Sequence, residues 1–66
     1  MEFIDILKDL IQDFKLNQSS FAKKIGVKQS QVSEWLNGKS KPGYDNLKAI
    51  CVALGVSADR LFGLDN

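Results

Sequence analysis

The stretch that decides the fold of this 66-residue chain is Gln18-Ser-Ser-Phe-Ala-Lys-Lys-Ile-Gly26-Val-Lys-Gln-Ser-Gln-Val-Ser-Glu-Trp-Leu-Asn37-Gly38. Phe21, Ala22 and Ile25 recur at the spacing of one helix face, and Val32, Trp35 and Leu36 do so again beyond Gly26. Asn17 is a good N-cap for the first of these two helices. Gly26 ends it, because glycine takes the left-handed conformation after a helix without steric cost. The next helix is expected from about Gln29 to Leu36, and Asn37-Gly38 ends it. Two helices joined by a tight glycine turn cross steeply, at about 90–120°. Ala22 must then be small, because the following helix passes close to it. Val27 and Val32 plug the angle, and Trp35 anchors the later helix on the core. A tryptophan can also stack on a nucleobase. Here its spacing with Val32 and Leu36 places it on the inward arc instead.

With Val32 taken as the inward direction, Ser30 falls at about 160° around the helix, Glu34 at about 200° and Asn37 at about 140°. Ser33 sits on the flank at about 100°. Gln29 lies in the first turn, where side chains splay outward. The free face is short, polar and rich in amide and hydroxyl groups, which hydrogen-bond to base edges in a DNA major groove.

Outward from this pair the chain reads as further short helices. Phe3, Ile6, Leu7, Leu10, Ile11 and Phe14 form an apolar stripe over residues 3–14, with Asp5, Asp9 and Asp13 on another face. Residues 39–43 read as a loop. A helix over about 44–54 is expected to bury Tyr44, Leu47, Ile50, Cys51 and Leu54 before Gly55 stops it. Ser57 caps a short last helix carrying Leu61 and Phe62. Nothing alternates with period two and there is no internal repeat. The expectation is one all-α domain over residues 1–66, with five helices.

Composition narrows the chemistry. The chain has no histidine and one cysteine, Cys51, so common zinc and haem sites, an internal disulfide and histidine-dependent nucleophilic catalysis have no residues to use. Cys51 is expected as a small buried hydrophobe. The reading is of a protein that is not an enzyme and takes no cofactor, metal or evident small-molecule ligand. No apolar run approaches the roughly 20 residues of a membrane span. The first five residues hold no basic signal region, and the lone cysteine fits a reducing cytoplasm.

Charge is segregated. The net charge is +1. Over residues 1–14, Lys8 stands against Glu2, Asp5, Asp9 and Asp13, leaving −3. Over 15–48, seven lysines stand against Glu34 and Asp45, leaving +5; the remainder carries −1. A basic middle on a near-neutral chain fits either one face made for a polyanion or a solvated lysine-rich surface.

Taken together, Gln18, Phe21-Ala22, Gly26-Val27, Val32-Ser33, Trp35, Asn37-Gly38, Pro42, Tyr44-Asp45-Asn46-Leu47, Ala53-Leu54-Gly55-Val56-Ser57 and Leu61-Phe62 resemble the helix-turn-helix DNA-binding domain of the Cro/C1 phage-repressor type, the XRE family. The resemblance spans about residues 3–64, with the motif at about 18–37. It implies a compact five-helix, lambda-repressor-like fold with the helix-turn-helix at the second and third helices. It also implies sequence-specific binding to operator DNA, usually as a dimer, by a cytoplasmic protein that is bacterial or phage-encoded. By this resemblance Gln18 contacts a phosphate with Asn17 beside it, although both could serve only as helix caps. Asn37, Lys39 and Lys41 follow the recognition helix and meet the backbone on the other side, or the two lysines are simply solvated. Lys28, Gln29, Ser30, Ser33 and Glu34 are the candidates for base edges.

Two of these depart from the family pattern. Lys28 stands where Ser or Thr usually caps the recognition helix, which costs about 1 kcal/mol of capping. Either it reaches a phosphate or a guanine, or water caps the helix and Lys28 is solvated. Glu34 either accepts from a cytosine amino group, pairs with Lys41 or Lys15, or is merely exposed. At the C-terminus, Leu61, Phe62 and Leu64 either form a two-fold dimer contact or close the single core. The leading reading is a repressor-like regulator whose partner is a double-stranded operator. The rival is a protein-interaction module, or an antitoxin-type partner of another protein, on the same fold. A third reading makes the chain the DNA-binding piece of a longer repressor.

Overall fold

The computed structural model describes residues 3–62. Among them there are five helices and no strand: α1 (Phe3–Asp13), α2 (Gln18–Ile25), α3 (Gln29–Leu36), α4 (Tyr44–Leu54) and α5 (Ala58–Leu61). Local chemistry accounts for the boundaries. Asn17 Oδ1 accepts from Ser20 N–H at 2.8 Å, and Ser20 Oγ accepts from Asn17 N–H at 2.9 Å. This reciprocal capping box satisfies two donors at the start of α2. Gly26 is left-handed at φ 80°, and Ala22 O accepts from both Gly26 N–H and Val27 N–H. Gly55 closes α4 in the same way, and Ser57 Oγ caps α5 by accepting from Arg60 N–H at 3.1 Å.

The end of α1 differs from the expectation. The helix stops at Asp13, and Phe14 lies beyond it, 38% exposed. Lys15 then takes a left-handed conformation, φ 55°, while Ile11 O accepts from Leu16 N–H at 2.9 Å. The chain uses a lysine where such a termination favours glycine.

Each helix places one side chain at 0% exposure in a shared core: Leu7, Phe21, Val32, Ile50 and Leu61. Around them pack Ile6, Leu10, Ile11, Ala22, Ile25, Trp35 and Leu54, and no polar side chain is buried among the described residues. Helices α2 and α3 share the most extensive contact, and α2 also packs on α4. Helix α1 lies against α3 and α5, and the exposed residues 28–31 and 34 leave one side of α3 open. An ion pair between Arg60 and Asp13, 3.2 Å apart, joins α5 to the end of α1. Both side chains are about half exposed, so it contributes less than about 1 kcal/mol.

Burial expectations on α4 fail at Tyr44, Leu47 and Cys51, Leu47 being half-buried. Tyr44 is 77% exposed, because it is the first residue of α4 and no described element covers it. Cys51 is half-buried rather than buried, and Phe62 is 48% exposed. Helix α5 has four residues, too few to cover the whole apolar stripe of α4. No helix of the described residues is long and apolar enough to cross a membrane.

Candidate nucleic-acid interface

Helix α3 is anchored by Val32 and Trp35, at 0% and 3% exposure. Ala22, 2% exposed, lets α2 and α3 approach, and Val27 is half-buried in the turn between them. With one face of α3 thus seated, Lys28, Gln29, Ser30, Gln31 and Glu34 are all exposed and Ser33 is half-buried. Lys28, Gln29 and Ser30 are consecutive at the first turn. Ser30 and Glu34 stack one turn apart, and exposed Asn37 continues the same side. Helix α3 ends through Asn37 N–H donating to Ser33 O, with Gly38 left-handed at φ 78°. Lys39 N–H then donates to Glu34 O at 2.9 Å, which fixes Lys39 directly beyond the helix.

Lys28's side chain does not cap the start of α3. Lysine carries no acceptor. The other half of a capping box is present, Lys28 N–H donating to Gln31 Oε1 at 3.4 Å. Helical position by itself does not single out Gln31 for contact, although a glutamine three residues after a cap is a readable sign of this arrangement. Glu34 pairs with neither Lys41 nor Lys15 among the described residues. Its Oε1 accepts from Ser40 Oγ at 3.4 Å, since the chain turns back at Gly38 and brings the loop alongside. Its other oxygen is left as an acceptor on the free face.

At the N-terminus of α2, Asn17 is exposed and Gln18 half-buried. Capping occupies Asn17 Oδ1, so the side chain retains its amino group, a donor suited to a phosphate oxygen. Exposed lysines surround the motif: Lys23 and Lys24 on α2, Lys28 at the turn, and Lys39 and Lys41 after α3. Lys41 also adjoins apolar side chains. It lines a groove with Phe3, Pro42, Leu47 and Phe62. A neighbouring cleft of about 230 Å³ is formed by Tyr44, Leu47, Lys48, Cys51, Ala58 and Phe62.

This geometry corrects the expected dimer residues. Leu61 is fully buried and closes the core, so it has no surface to offer a partner. Leu64 lies outside the described residues. Phe62 remains available, and Tyr44 and Leu47 adjoin it.

The comparisons with known proteins agree with the arrangement. The sequence profile of the helix-turn-helix family matches residues 7–61. The chain is 33% identical over 61 residues to the HTH-type transcriptional activator BcrR of Enterococcus faecalis, a match covering 92% of this chain and 30% of that protein. The chain thus spans less than a third of that relative's length. No solved structure matches it. With α3 seated on α2 across the Gly26 turn and its polar side open, the chain belongs to the Cro/C1-type (XRE) helix-turn-helix family.

Proposed function

We propose that this chain reads a specific double-stranded operator by seating α3 in the major groove, as a homodimer on an inverted repeat. Base edges are met by Lys28, Gln29, Ser30, Ser33 and Glu34, and phosphates by Asn17, Gln18, Asn37, Lys39 and Lys41. The observation that carries the reading is the exposed polar face of α3, held outward by buried Val32 and Trp35 and flanked by exposed lysines. A recognition helix so placed contacts base edges through its N-terminal residues, while flanking groups fix register on the backbone.

Two features support a dimer. The protein is 31 Å in its longest dimension and carries one recognition helix, whereas half-sites one helical turn apart lie about 34 Å from each other. A second copy is needed to read both. Exposed Phe62 and Tyr44, with half-buried Leu47 between them, form an apolar patch suited to a two-fold contact. Repression follows from occupancy alone, because a bound protein excludes others from the same DNA. The relative from E. faecalis is named an activator, and activation requires a further contact that occupancy does not supply.

Selection of bound sequences from random duplex DNA, with the purified chain at low salt, tests the proposal. The expected result is an enriched inverted repeat with half-sites about one turn apart. Weak binding with no enrichment refutes it and favours a protein partner for the same fold.

A further inference from the structure

The cap of α3 determines which atoms face the DNA at its first turn. Lys28 has no side-chain acceptor, and its own N–H donates to Gln31 Oε1 at 3.4 Å. That hydrogen bond goes with Oε1 turned toward the backbone, since an amino group could not accept from a backbone N–H. With Oε1 turned back, Gln31 presents only its amino group, a donor, to the surroundings. The Lys28 ammonium is also a donor and nothing else. Both side chains are exposed, and they stand one turn apart at the end of α3 that enters the groove.

We infer that Lys28 and Gln31 form a donor-only pair that selects guanine at one position of each half-site. The inference rests on the proposed DNA reading and deepens it. Among the bases in the major groove, guanine offers two adjacent acceptors, O6 and N7. Adenine places a donor beside its N7, cytosine offers its amino donor, and thymine has a single acceptor next to a methyl group. A glutamine free to turn its amide would pair with adenine, accepting at Oε1 and donating from Nε2. Gln31 has committed its acceptor to the cap and loses that option. Gln29 makes no such backbone contact and keeps both groups. The two glutamines of α3 therefore read different bases, and the reach of Gln31 back to the Lys28 N–H is what separates them.

The decisive variant is Gln31→Glu. A glutamate at this position accepts from Lys28 N–H as well as glutamine does, so helix and fold are retained. Its outward oxygen is an acceptor, the reverse of the wild-type group. Selection from random duplexes is run on the wild type, Gln31→Glu, Lys28→Ala and Gln29→Ala, with thermal unfolding alongside. The expected wild-type motif holds a guanine preferred about tenfold or more over the other bases. Gln31→Glu and Lys28→Ala flatten preference at that position, Gln31→Glu without loss of thermal stability, and Gln29→Ala flattens a different one. If Gln31→Glu weakens every sequence equally and leaves the motif unchanged, Gln31 touches phosphate and the inference fails. It also fails if the wild-type motif lacks guanine. If the wild type enriches nothing, the inference falls together with the DNA reading on which it depends.

Discussion

Replacing Gly26 with alanine isolates the energetic contribution of the turn that sets α2 against α3. Gly26 sits at φ 80°, ψ 31° and closes α2 by donating to Ala22 O. A Cβ built there would meet no atom within 4 Å, so no steric collision enters. What is left is the backbone penalty of an L-residue in the left-handed region, about 1–2 kcal/mol. Alanine's smaller freedom in the unfolded chain returns about 0.4–1 kcal/mol. The net expectation for Gly26→Ala is a loss of about 1 kcal/mol, or a fall of about 4–8 °C in Tm for a domain of this size. Gly26→Asn should lose less, since asparagine visits the left-handed region more readily. Urea and thermal unfolding of the three proteins measure this directly. A loss above about 3 kcal/mol would show that the Cβ is crowded, contrary to the geometry. A gain in stability would show that residue 26 is not left-handed. Below the transition, operator affinity should be unchanged in both variants, because the crossing of the helices is kept.

Other expectations follow from single contacts. Lys15→Gly should raise stability by about 0.5–1 kcal/mol, the left-handed penalty less glycine's entropy; unfolding that shows no gain would contradict the strain at Lys15. Gln29→Ala should lose about 1–3 kcal/mol at its cognate base pair and relax preference there. An equal loss on random DNA would remove Gln29 from the base-reading set. Lys39→Ala should instead weaken all sequences alike and reduce the salt slope of binding by about 0.9, one phosphate's worth; a titration over salt concentration shows this, and an unchanged slope would mean a solvated lysine. Phe62→Lys should leave the fold intact, since the side chain is 48% exposed, and shift sedimentation equilibrium towards monomer. A dissociation constant equal to that of the wild type would place the dimer contact elsewhere.

The features legible in the sequence are those set by neighbours along the chain. Asn17, Gly26, Gly38, Gly55 and Ser57 act on residues within five positions of themselves, through hydrogen bonds that the chain forms wherever the helices finally dock. The polar side of α3 is of the same kind, because Val32 and Trp35 fix by periodicity alone which side is left over. The resemblance to the Cro/C1 type rests on those same positions. Gln31's part in the cap is legible too, as a glutamine at the third position of the helix. The left-handed Lys15 has no sign at all, since the residue type argues against it.

The order of residues alone was therefore enough for the helices, their ends, the turn between α2 and α3, and the side of α3 that faces outward. Packing in three dimensions settled which apolar residues of α4 and α5 are covered. Periodicity marks a stripe, and how much of a stripe is buried depends on the length and position of whatever packs on it. Helix α5 is one turn long and delivers Leu61 to the core, which leaves Phe62 half-exposed and Tyr44 open at the start of α4. The same limit explains Glu34. Its partner, Ser40, comes alongside only because the chain reverses at Gly38, and a contact across a reversal is set by the path of the backbone in space.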